Sequence, residues 1–236
     1  MENKGKIVGV SLGPGEPELI TLKALNTLKE ADVIFCPGTM GKDEAFKSRA
    51  LDILSALPVD ISKVRTFHVP MSRNREEAMK AYDAVSEQMI GLAMLGKNMA
   101  VTAEGDSCFY SSANYMYEKL RTAGFSVEMI AGVPAFIAAG ASIGLHVVKQ
   151  QERLLVIPGD VIVEELLEVV VAKRSVVIMK VPLGESVLRP FIARHPELHY
   201  HYFENVGTAE EFYTSQREEI LERSFTYFSM LFILPG

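Results

Sequence analysis

Short apolar runs alternate with helix-like segments along the first half of the chain. Apolar runs rich in β-branched residues predict buried strands, at 6–12, 33–36, 64–69, 99–102 and 126–130. The segments between them repeat apolar residues at helical spacing, over 19–31, 45–57, a long stretch after Asn74, and 109–120. Because strands and helices take turns in this way, the pattern predicts βαβ units and a mostly parallel sheet.

The pattern restarts after Gly132, where a run of small residues predicts a helix at 134–143. Beyond it, apolar runs predict strands, at 154–157, 176–179, 198–204 and 226–234. Helices are expected at 164–172 and 210–223. We therefore predict two α/β domains, residues 1–132 and residues 133–236.

Residues that start and stop elements agree with this division into helices and strands. Thr21 or Glu16 is expected to cap the first helix, and Pro37-Gly38 to end the second strand. Asn74 followed by Glu77 forms a capping box at the start of the long helix. The apolar stripe of that helix consists of Ala78, Tyr82, Val85, Met89 and Leu92.

The composition is ordinary for a globular protein, with 48% hydrophobic and 23% charged residues. The net charge of −6 argues against a protein that grips a nucleic-acid backbone. With no signal peptide, and with Cys36 and Cys108 in no disulfide-framework or metal-ligand spacing, we expect a cytoplasmic protein. Residues 129–148 carry no charge, but Pro134 and the many small residues favour a packed helix over a membrane span.

The most informative stretch runs from Ala103 to Ser112, between a predicted buried strand and a predicted helix. Open α/β sheets place their chemistry at the carboxyl ends of strands, and this turn carries glycine and two carboxylates. Asp106 suits two roles, a cap for the following helix and a group that faces a ligand. The sequence pattern leaves both open.

A second turn, Gly13-Pro14-Gly15, also lies between a strand and a helix, as a dinucleotide fingerprint does. Glu18 occupies the position of the third glycine, and Pro14 lacks the N–H that a pyrophosphate would use. A dinucleotide-dependent oxidoreductase is therefore the weaker alternative. Free carbonyls beside a rigid proline suit a neutral or cationic ligand, and a plain strand–helix turn is the other interpretation.

Two further groups of residues have ordinary alternatives. His199 and His201 share one face of a predicted strand, but no third metal ligand follows in a recognisable spacing, so we expect strand residues and no metal site. A local concentration of basic residues is either a solvated face or a contact for a polyanionic small molecule. Its members are Lys42, Arg49, Arg73 and Arg75.

Together these stretches resemble the tetrapyrrole methylases, the class III S-adenosylmethionine (SAM) methyltransferases. Residues 8–24 are similar to the family's opening GxGPGDPxLLTLKA. Residues 103–112 resemble its GDP signature with the Phe-Tyr and small hydroxyls that follow, and residues 130–136 resemble its PGVSSF stretch. Later stretches also match, at 179–180, 204–208 and 227–231. The departures are Glu16 for Asp, Ser107 for Pro and Ala131 for Pro.

Within the family, residues 67–75 and the long helix after them resemble the branch that methylates C20 of precorrin-2 or cobalt-factor II in cobalamin biosynthesis. This implies an enzyme that transfers a methyl group from SAM to a tetrapyrrole. The alternatives within the family are another corrin carbon, uroporphyrinogen III, or a macromolecular acceptor such as rRNA. A binding module with a degenerate site is a further alternative.

The resemblance also implies the architecture and the site. It implies two α/β domains, a mostly parallel N-terminal sheet and a mixed C-terminal sheet, with SAM in a cleft between them. It implies a homodimer that needs no metal, nucleic acid or membrane. The SAM contacts implied are Pro14, Glu104, Gly105, Asp106, Phe109, Ser111, Ser112, Pro134, Ala135, Met179 and Gly207. Asp106 is the candidate catalytic, substrate-facing group, and Arg73, Arg75 and Lys180 are candidates for the substrate carboxylates.

Overall fold

The computed structural model describes residues 4–41, 45–70 and 75–236, with the backbone alone for Arg75. The chain folds into two compact units, Met1–Pro134 and Ala135–Gly236. The boundary predicted from the sequence, after residue 132, lies two residues before this division. Within the described ranges, no helix is long and apolar enough to cross a membrane.

The first unit alternates strands and helices, as the pattern predicts. Its strands are β1 (Ile7–Ser11), β2 (Val33–Met40), β3 (Phe46–Lys47), β4 (Val64–His68), β5 (Met99–Ala103) and β6 (Val127–Ile130). Its helices are α1 (Leu22–Glu30), α2 (Arg49–Ala56), α3 (Arg75–Met94) and α4 (Asn114–Thr122). The order across the sheet is β4-β2-β5-β1-β6, all parallel, and β3 pairs antiparallel with the end of β2.

Helices cover both faces of this sheet, because successive side chains of a strand point to opposite faces. Ile7 of β1 packs in a cluster with residues of α3 and α4. Val8 and Val10 pack in a second cluster with residues of α1 and α2. The core of the first unit therefore consists of two apolar layers, one on each side of the sheet.

The second unit contains a mixed sheet, in the order β10-β9-β11-β8-β7. The strands are β7 (Leu154–Ile157), β8 (Ser175–Met179), β9 (His199–Glu204), β10 (Phe212–Thr214) and β11 (Ser229–Leu234). Only the β7–β8 pair of this path is parallel, and the other pairs are antiparallel. The helices are α5 (Ala135–Ser142), α6 (Val163–Ala172), α7 (Glu185–Arg194) and α8 (Arg217–Glu222). Helices α6, α7 and α8 contribute to one apolar cluster with the strands.

Several predicted boundaries are confirmed and several are wrong. Thr21 caps α1 by accepting the N–H of Ala24, as predicted. The second strand continues through Pro37-Gly38 to Met40, so the predicted stop there is wrong. The expected cap at Asn74 lies outside the described residues.

Three further differences concern whole elements. Helix α4 begins at Asn114 and not at Phe109. The segment predicted as a helix over 210–223 contains the strand β10 before the short helix α8. Helix α7 was not predicted, and it carries Pro190 in its interior. Proline removes a backbone donor there, which is why the helical pattern was not recognised.

A partly buried ion pair lies at the end of β9 in the second unit. Glu204 at the end of β9 is buried, and its two carboxylate oxygens accept hydrogen bonds of 2.8 and 2.9 Å from the Arg223 guanidinium. The Tyr202 hydroxyl donates to the same carboxylate at 2.8 Å. The Arg223 hydrogen bonds, with a smaller contribution from Tyr202, hold the pKa of Glu204 below its usual value, although burial opposes them.

We expect Glu204→Gln to lower the free energy of unfolding by about 1–3 kcal/mol at neutral pH, because it removes the charge that pairs with Arg223. The folded-state pKa is depressed, so the ionised carboxylate contributes stability above its unfolded pKa of about 4.3. That contribution is lost as the pH falls through the folded-state pKa. The difference in free energy of unfolding between wild type and variant should therefore become smaller as the pH falls.

Urea unfolding followed by circular dichroism at neutral and acidic pH measures this gap. Glu222→Gln is the matched control, because Glu222 is exposed at the end of α8. An equal loss of stability at every pH would contradict the assignment of the effect to the charge of Glu204.

Candidate functional site

Three loops of the first unit meet at the carboxyl edge of its parallel sheet. Strand β1 lies between β5 and β6, and all three run in the same direction. The loops that follow them, at 13–15, 104–112 and 131–134, therefore begin next to one another. This is the edge at which open α/β sheets bind ligands.

The first two loops are joined through their backbones. The N–H of Gly13 donates to the Gly105 carbonyl at 3.1 Å, and the N–H of Gly105 donates to the Gly13 carbonyl at 2.6 Å. Both glycines have positive φ, +82° and +69°. A side chain at either position would be strained, so this bridge depends on glycine at both ends.

The Ser11 side chain joins all three loops. Its hydroxyl donates to the Ile130 carbonyl at 2.6 Å and accepts the Ser107 N–H at 2.8 Å. The Ser107 hydroxyl oxygen lies 3.0 Å from that of Ser11, and both side chains are buried. A buried hydroxyl whose partners are backbone groups of two neighbouring loops fixes their positions.

Asp106 ties the second loop to the third. One carboxylate oxygen accepts the N–H of Cys108 at 2.7 Å, and the other accepts the N–H of Gly132 at 2.6 Å. A side chain on Gly132 would lie against Ser11 and 2.7 Å from the Gly105 carbonyl, so glycine permits the close approach. The helix-capping interpretation of Asp106 is wrong, because α4 begins eight residues later. Asp106 instead closes a local turn.

Glu104 is the other carboxylate of the second loop, and its partner is Arg49 in the first turn of α2. Arg49 Nε lies 3.2 Å from Glu104 Oε1, and the two side chains are 19% and 28% exposed. Burial raises the pKa of the Glu104 carboxyl, and the charge of Arg49 opposes that rise. The edge of the sheet therefore holds a carboxylate that solvent reaches only in part.

The remaining predicted contacts of this loop lie between Asp106 and α4. Phe109 and Tyr110 form an edge-to-face aromatic pair with ring centroids 4.7 Å apart. Tyr110 has a φ of +49°, which is unusual for a bulky residue and marks backbone strain. The Ser112 hydroxyl accepts a hydrogen bond of 2.7 Å from Tyr82 of α3, and the Ser111 hydroxyl accepts the Ala113 N–H at 3.3 Å.

The other predicted SAM contacts of the first unit are Pro14 and Pro134. Pro14 is buried beside Gly13. Pro134 ends the first unit, and Ala135 begins α5 in the second. Arg73 lies outside the described residues, and the structure gives only the backbone of Arg75 at the start of α3.

Three predicted residues of the second unit, Met179, Lys180 and Gly207, lie toward one end of its own sheet. Met179 at the end of β8 pairs with Met230 at the start of β11. Lys180 follows with a φ of +54°, donates its N–H to the Ser229 carbonyl at 2.9 Å, and places Nζ 5.8 Å from the centre of the Tyr227 ring. Gly207 lies in the loop after β9, where its N–H donates to Glu211 at 2.7 Å.

His199 and His201 both lie in strand β9 of the second sheet. His201 Nδ1 lies 2.9 Å from the Tyr213 hydroxyl, and the two rings are stacked. Burial, with a smaller effect of His199, lowers the pKa of His201. Over 4–41, 45–70 and 75–236, no three His, Cys, Asp or Glu side chains are grouped as metal ligands would be.

The sequence pattern missed Ser11 and the pairing of Arg49 with Glu104. Ser11 is a polar residue at the end of an otherwise apolar strand, which is a signal in retrospect. The sequence analysis placed Arg49 only in a local group of basic residues and predicted no carboxylate partner for it. Fifty-five positions separate it from Glu104 in the sequence, so no local pattern links them.

The sequence of the chain is similar to those of known methyltransferases. The chain matches the sequence profile of the tetrapyrrole (corrin/porphyrin) methylases over residues 6–221. A precorrin-2 C(20)-methyltransferase of a Sinorhizobium species is 28% identical over 237 residues, which cover 98% of this chain and 96% of that protein. A cobalt-precorrin-2 C(20)-methyltransferase of Salmonella typhimurium is 28% identical over 178 residues, 75% of this chain and 73% of that protein.

Solved structures show the same fold. The uroporphyrin-III C-methyl transferase of Thermus thermophilus, solved in complex with S-adenyl homocysteine, is similar with a TM-score of 0.63 at 20% identity, over 97% of each chain. The predicted family and the predicted α/β fold, with a parallel first sheet and a mixed second sheet, are both confirmed. The chain belongs to the tetrapyrrole methylase family.

Proposed function

We propose that the protein transfers a methyl group from SAM to C20 of precorrin-2 or of its cobalt-bearing counterpart, in cobalamin biosynthesis. The observation that carries this proposal is the match to the Sinorhizobium C20-methyltransferase along nearly the full length of both chains. The Salmonella relative is named for the cobalt-bearing substrate, so the relatives support both substrates. The dinucleotide-dependent alternative has no comparable support.

The residues at the sheet edge suit SAM, which carries a sulfonium cation, an amino-acid zwitterion and an adenosine. A β-carbon added at Gly105 would meet no heavy atom within 4 Å, so there is open space beside the strand end. The Glu104 carboxylate, which precedes Gly105, is partly exposed, although Arg49 offsets its charge. We propose that Pro14, Glu104, Gly105, Phe109 and Pro134 of the first unit contact SAM.

The other proposed contacts complete the set that the family resemblance implies. They are Asp106, Ser111, Ser112, Ala135, Met179 and Gly207. SAM supplies the methyl group that is transferred. The transfer is an in-line displacement, so the protein must hold nucleophile, methyl group and sulfur in line and exclude water. A dedicated metal or general base is not required before the new bond forms.

The hydrogen bonds of Asp106 support a positioning role for it in this reaction. Both of its oxygens accept backbone N–H groups, so it holds the second and third loops in register. We propose that Asp106 acts by positioning these loops against SAM and the tetrapyrrole. Lys180, whose ammonium is held near the Tyr227 ring, and Arg73 and Arg75 are proposed partners of the peripheral carboxylates.

The proposal extends to the setting of the enzyme. We propose a cytoplasmic homodimer that acts on a small tetrapyrrole, without nucleic-acid or membrane partners. The net charge of −6 and the free thiols of Cys36 and Cys108 support this setting.

An anaerobic assay with SAM and each reduced tetrapyrrole tests the substrate. We expect precorrin-2 or its cobalt-bearing counterpart to gain the mass of one methyl group, with stoichiometric formation of S-adenosylhomocysteine. Reactions without SAM are the control. Methylation of uroporphyrinogen III alone would refute the C20 assignment and leave the methyltransferase. NAD(P) binding without SAM binding would refute the methyltransferase itself.

A pair of variants at Asp106 tests the positioning role. Asp106→Ala leaves two backbone N–H groups without their acceptor, so we expect a loss of about 1–3 kcal/mol in stability and at least about tenfold in methyl transfer. Asp106→Asn keeps one acceptor oxygen and should fall between wild type and Asp106→Ala. Calorimetric binding of S-adenosylhomocysteine and turnover are measured on each.

Asp160→Ala is the matched control, because Asp160 is an exposed aspartate in the second unit. Unchanged turnover of Asp106→Ala with a native-like melting curve would contradict the proposed role.

A further inference from the structure

Tyr110, in the loop between β5 and α4, combines an exposed aromatic side chain with a strained backbone. It is 51% exposed, and its φ is +49°. Left-handed backbone is costly for a residue with a β-carbon, and glycine, asparagine and aspartate are the usual residues there. Neither exposure nor strain favours the stability of the first unit. A strained residue that is kept in spite of its cost indicates a role in ligand binding or catalysis.

Hydrogen bonds fix the backbone on both sides of Tyr110. Before it, the Phe109 N–H donates to the Asp106 carbonyl at 3.1 Å. After it, the Ser111 carbonyl accepts the Asn114 N–H at 3.3 Å. The loop therefore holds Tyr110 in the left-handed conformation, as the surroundings of strained residues at functional sites do.

Among the residues that the structure describes, four that are not glycine have a positive φ, and Tyr110 is the only aromatic one. Lys173 ends α6, where a left-handed residue commonly closes a helix. Asn205 is of a type that adopts this conformation readily. Neither explanation applies to Tyr110 and Lys180. Both lie in loops that follow the carboxyl end of a strand, and Lys180 is already a proposed partner of the substrate carboxylates.

The proposed substrate needs a flat apolar contact that these cationic partners do not supply. A reduced tetrapyrrole presents the apolar faces of its pyrrole-derived rings, with the carboxylates at its periphery. A tyrosine ring offers a flat apolar surface that packs against such a face. The edge-to-face contact of Tyr110 with Phe109, with ring centroids 4.7 Å apart, supports the ring in one place before a ligand binds.

We propose that the Tyr110 ring packs against the face of the tetrapyrrole substrate and orients it for methyl transfer. This inference rests on the proposed function and adds a contact for the methyl acceptor. The proposed SAM contacts include Gly105 at the strand end, where there is open space, whereas Tyr110 lies five residues further along the loop and is exposed to solvent. An acceptor that enters from solvent meets Tyr110 on its way to the strand end.

Two substitutions remove the ring but differ in backbone strain. Tyr110→Ala keeps the strain, because alanine has a β-carbon, and Tyr110→Gly relieves it. We expect Tyr110→Gly to melt about 2 °C higher than Tyr110→Ala. Tyr110→Phe keeps both the ring and the strain. Stability should therefore follow the backbone preference of the residue, while substrate binding should follow the ring.

Anaerobic calorimetric titration of the full chain with precorrin-2 and with its cobalt-bearing counterpart, at saturating S-adenosylhomocysteine, measures acceptor binding without turnover. We expect Tyr110→Ala and Tyr110→Gly to bind the tetrapyrrole about tenfold more weakly than wild type, because both lack the aromatic contact. The KM for the tetrapyrrole in the methylation assay should rise by the same factor. Tyr110→Phe should stay close to wild type, and all three variants should retain their affinity for S-adenosylhomocysteine.

Leu95→Ala is the matched control. Leu95 is an apolar residue that is 76% exposed, and it lies between α3 and β5, at the opposite edge of the parallel sheet. Its substitution should leave the affinity for both ligands unchanged.

The outcomes separate the claims. A wild-type affinity of Tyr110→Ala for the tetrapyrrole overturns the assignment of the ring and leaves the methyltransferase. An affinity that is restored in Tyr110→Gly also overturns it, because the residue would then act through the fold alone. A selective loss of S-adenosylhomocysteine binding would place the ring against SAM instead. A wild type that neither binds nor methylates either tetrapyrrole refutes the proposed function together with this contact.

Discussion

The close approach of three strand-end loops is the constraint on which the first unit's edge depends. Strands β1, β5 and β6 are neighbours, so the loops that leave them begin close together. Gly13 and Gly105 meet this constraint with positive φ and reciprocal backbone hydrogen bonds, and Gly132 meets it by having no side chain. Hydrogen bonds of Ser11 and Asp106 then hold the loops in place.

Two departures from the family motif are connected by this constraint. Ser107, at the proline of the GDP signature, is one of the departures given above. Ser11 is a further one, because it stands at the first glycine of the opening GxGPGDP pattern. The Ser107 N–H, which proline would lack, donates to the Ser11 hydroxyl, which glycine would lack. The serine at position 107 is therefore matched by the serine at position 11. A glycine at position 11 would leave the buried Ser107 N–H without this acceptor, whereas a proline at position 107 would still leave the Ser11 hydroxyl its bond to the Ile130 carbonyl.

The sequence predicted the regular parts of the fold because local periodicity determines them. The five parallel strands of the first sheet and the apolar stripe of α3 followed from alternation and helical spacing, and Tyr82, Val85 and Met89 are buried as expected. The short strand β3 was missed, because it lies at the start of the segment predicted as a helix over 45–57. Helix α7 and strand β10 were missed, because Pro190 interrupts one pattern and three residues are too few to show the other. The donors to Asp106 and the partner of Glu104 were missed for a different reason. They depend on contacts set by the folded loops and by residues distant in sequence, which periodicity does not contain.

Glu104 and Asp106, the two carboxylates of the second loop, bind different partners because of where each lies in the loop. Glu104 continues the direction of β5 toward α2, where burial and Arg49 act on its pKa in opposite senses. Asp106, two residues later and beyond the Gly105 turn, is shorter and meets two backbone N–H groups of its own edge. An exchange of the two residue types would fail at both places, because the longer side chain would overreach the turn and the shorter one would not reach Arg49. The sequence Glu-Gly-Asp is thus one unit, in which glycine sets the geometry that gives each acid its partner.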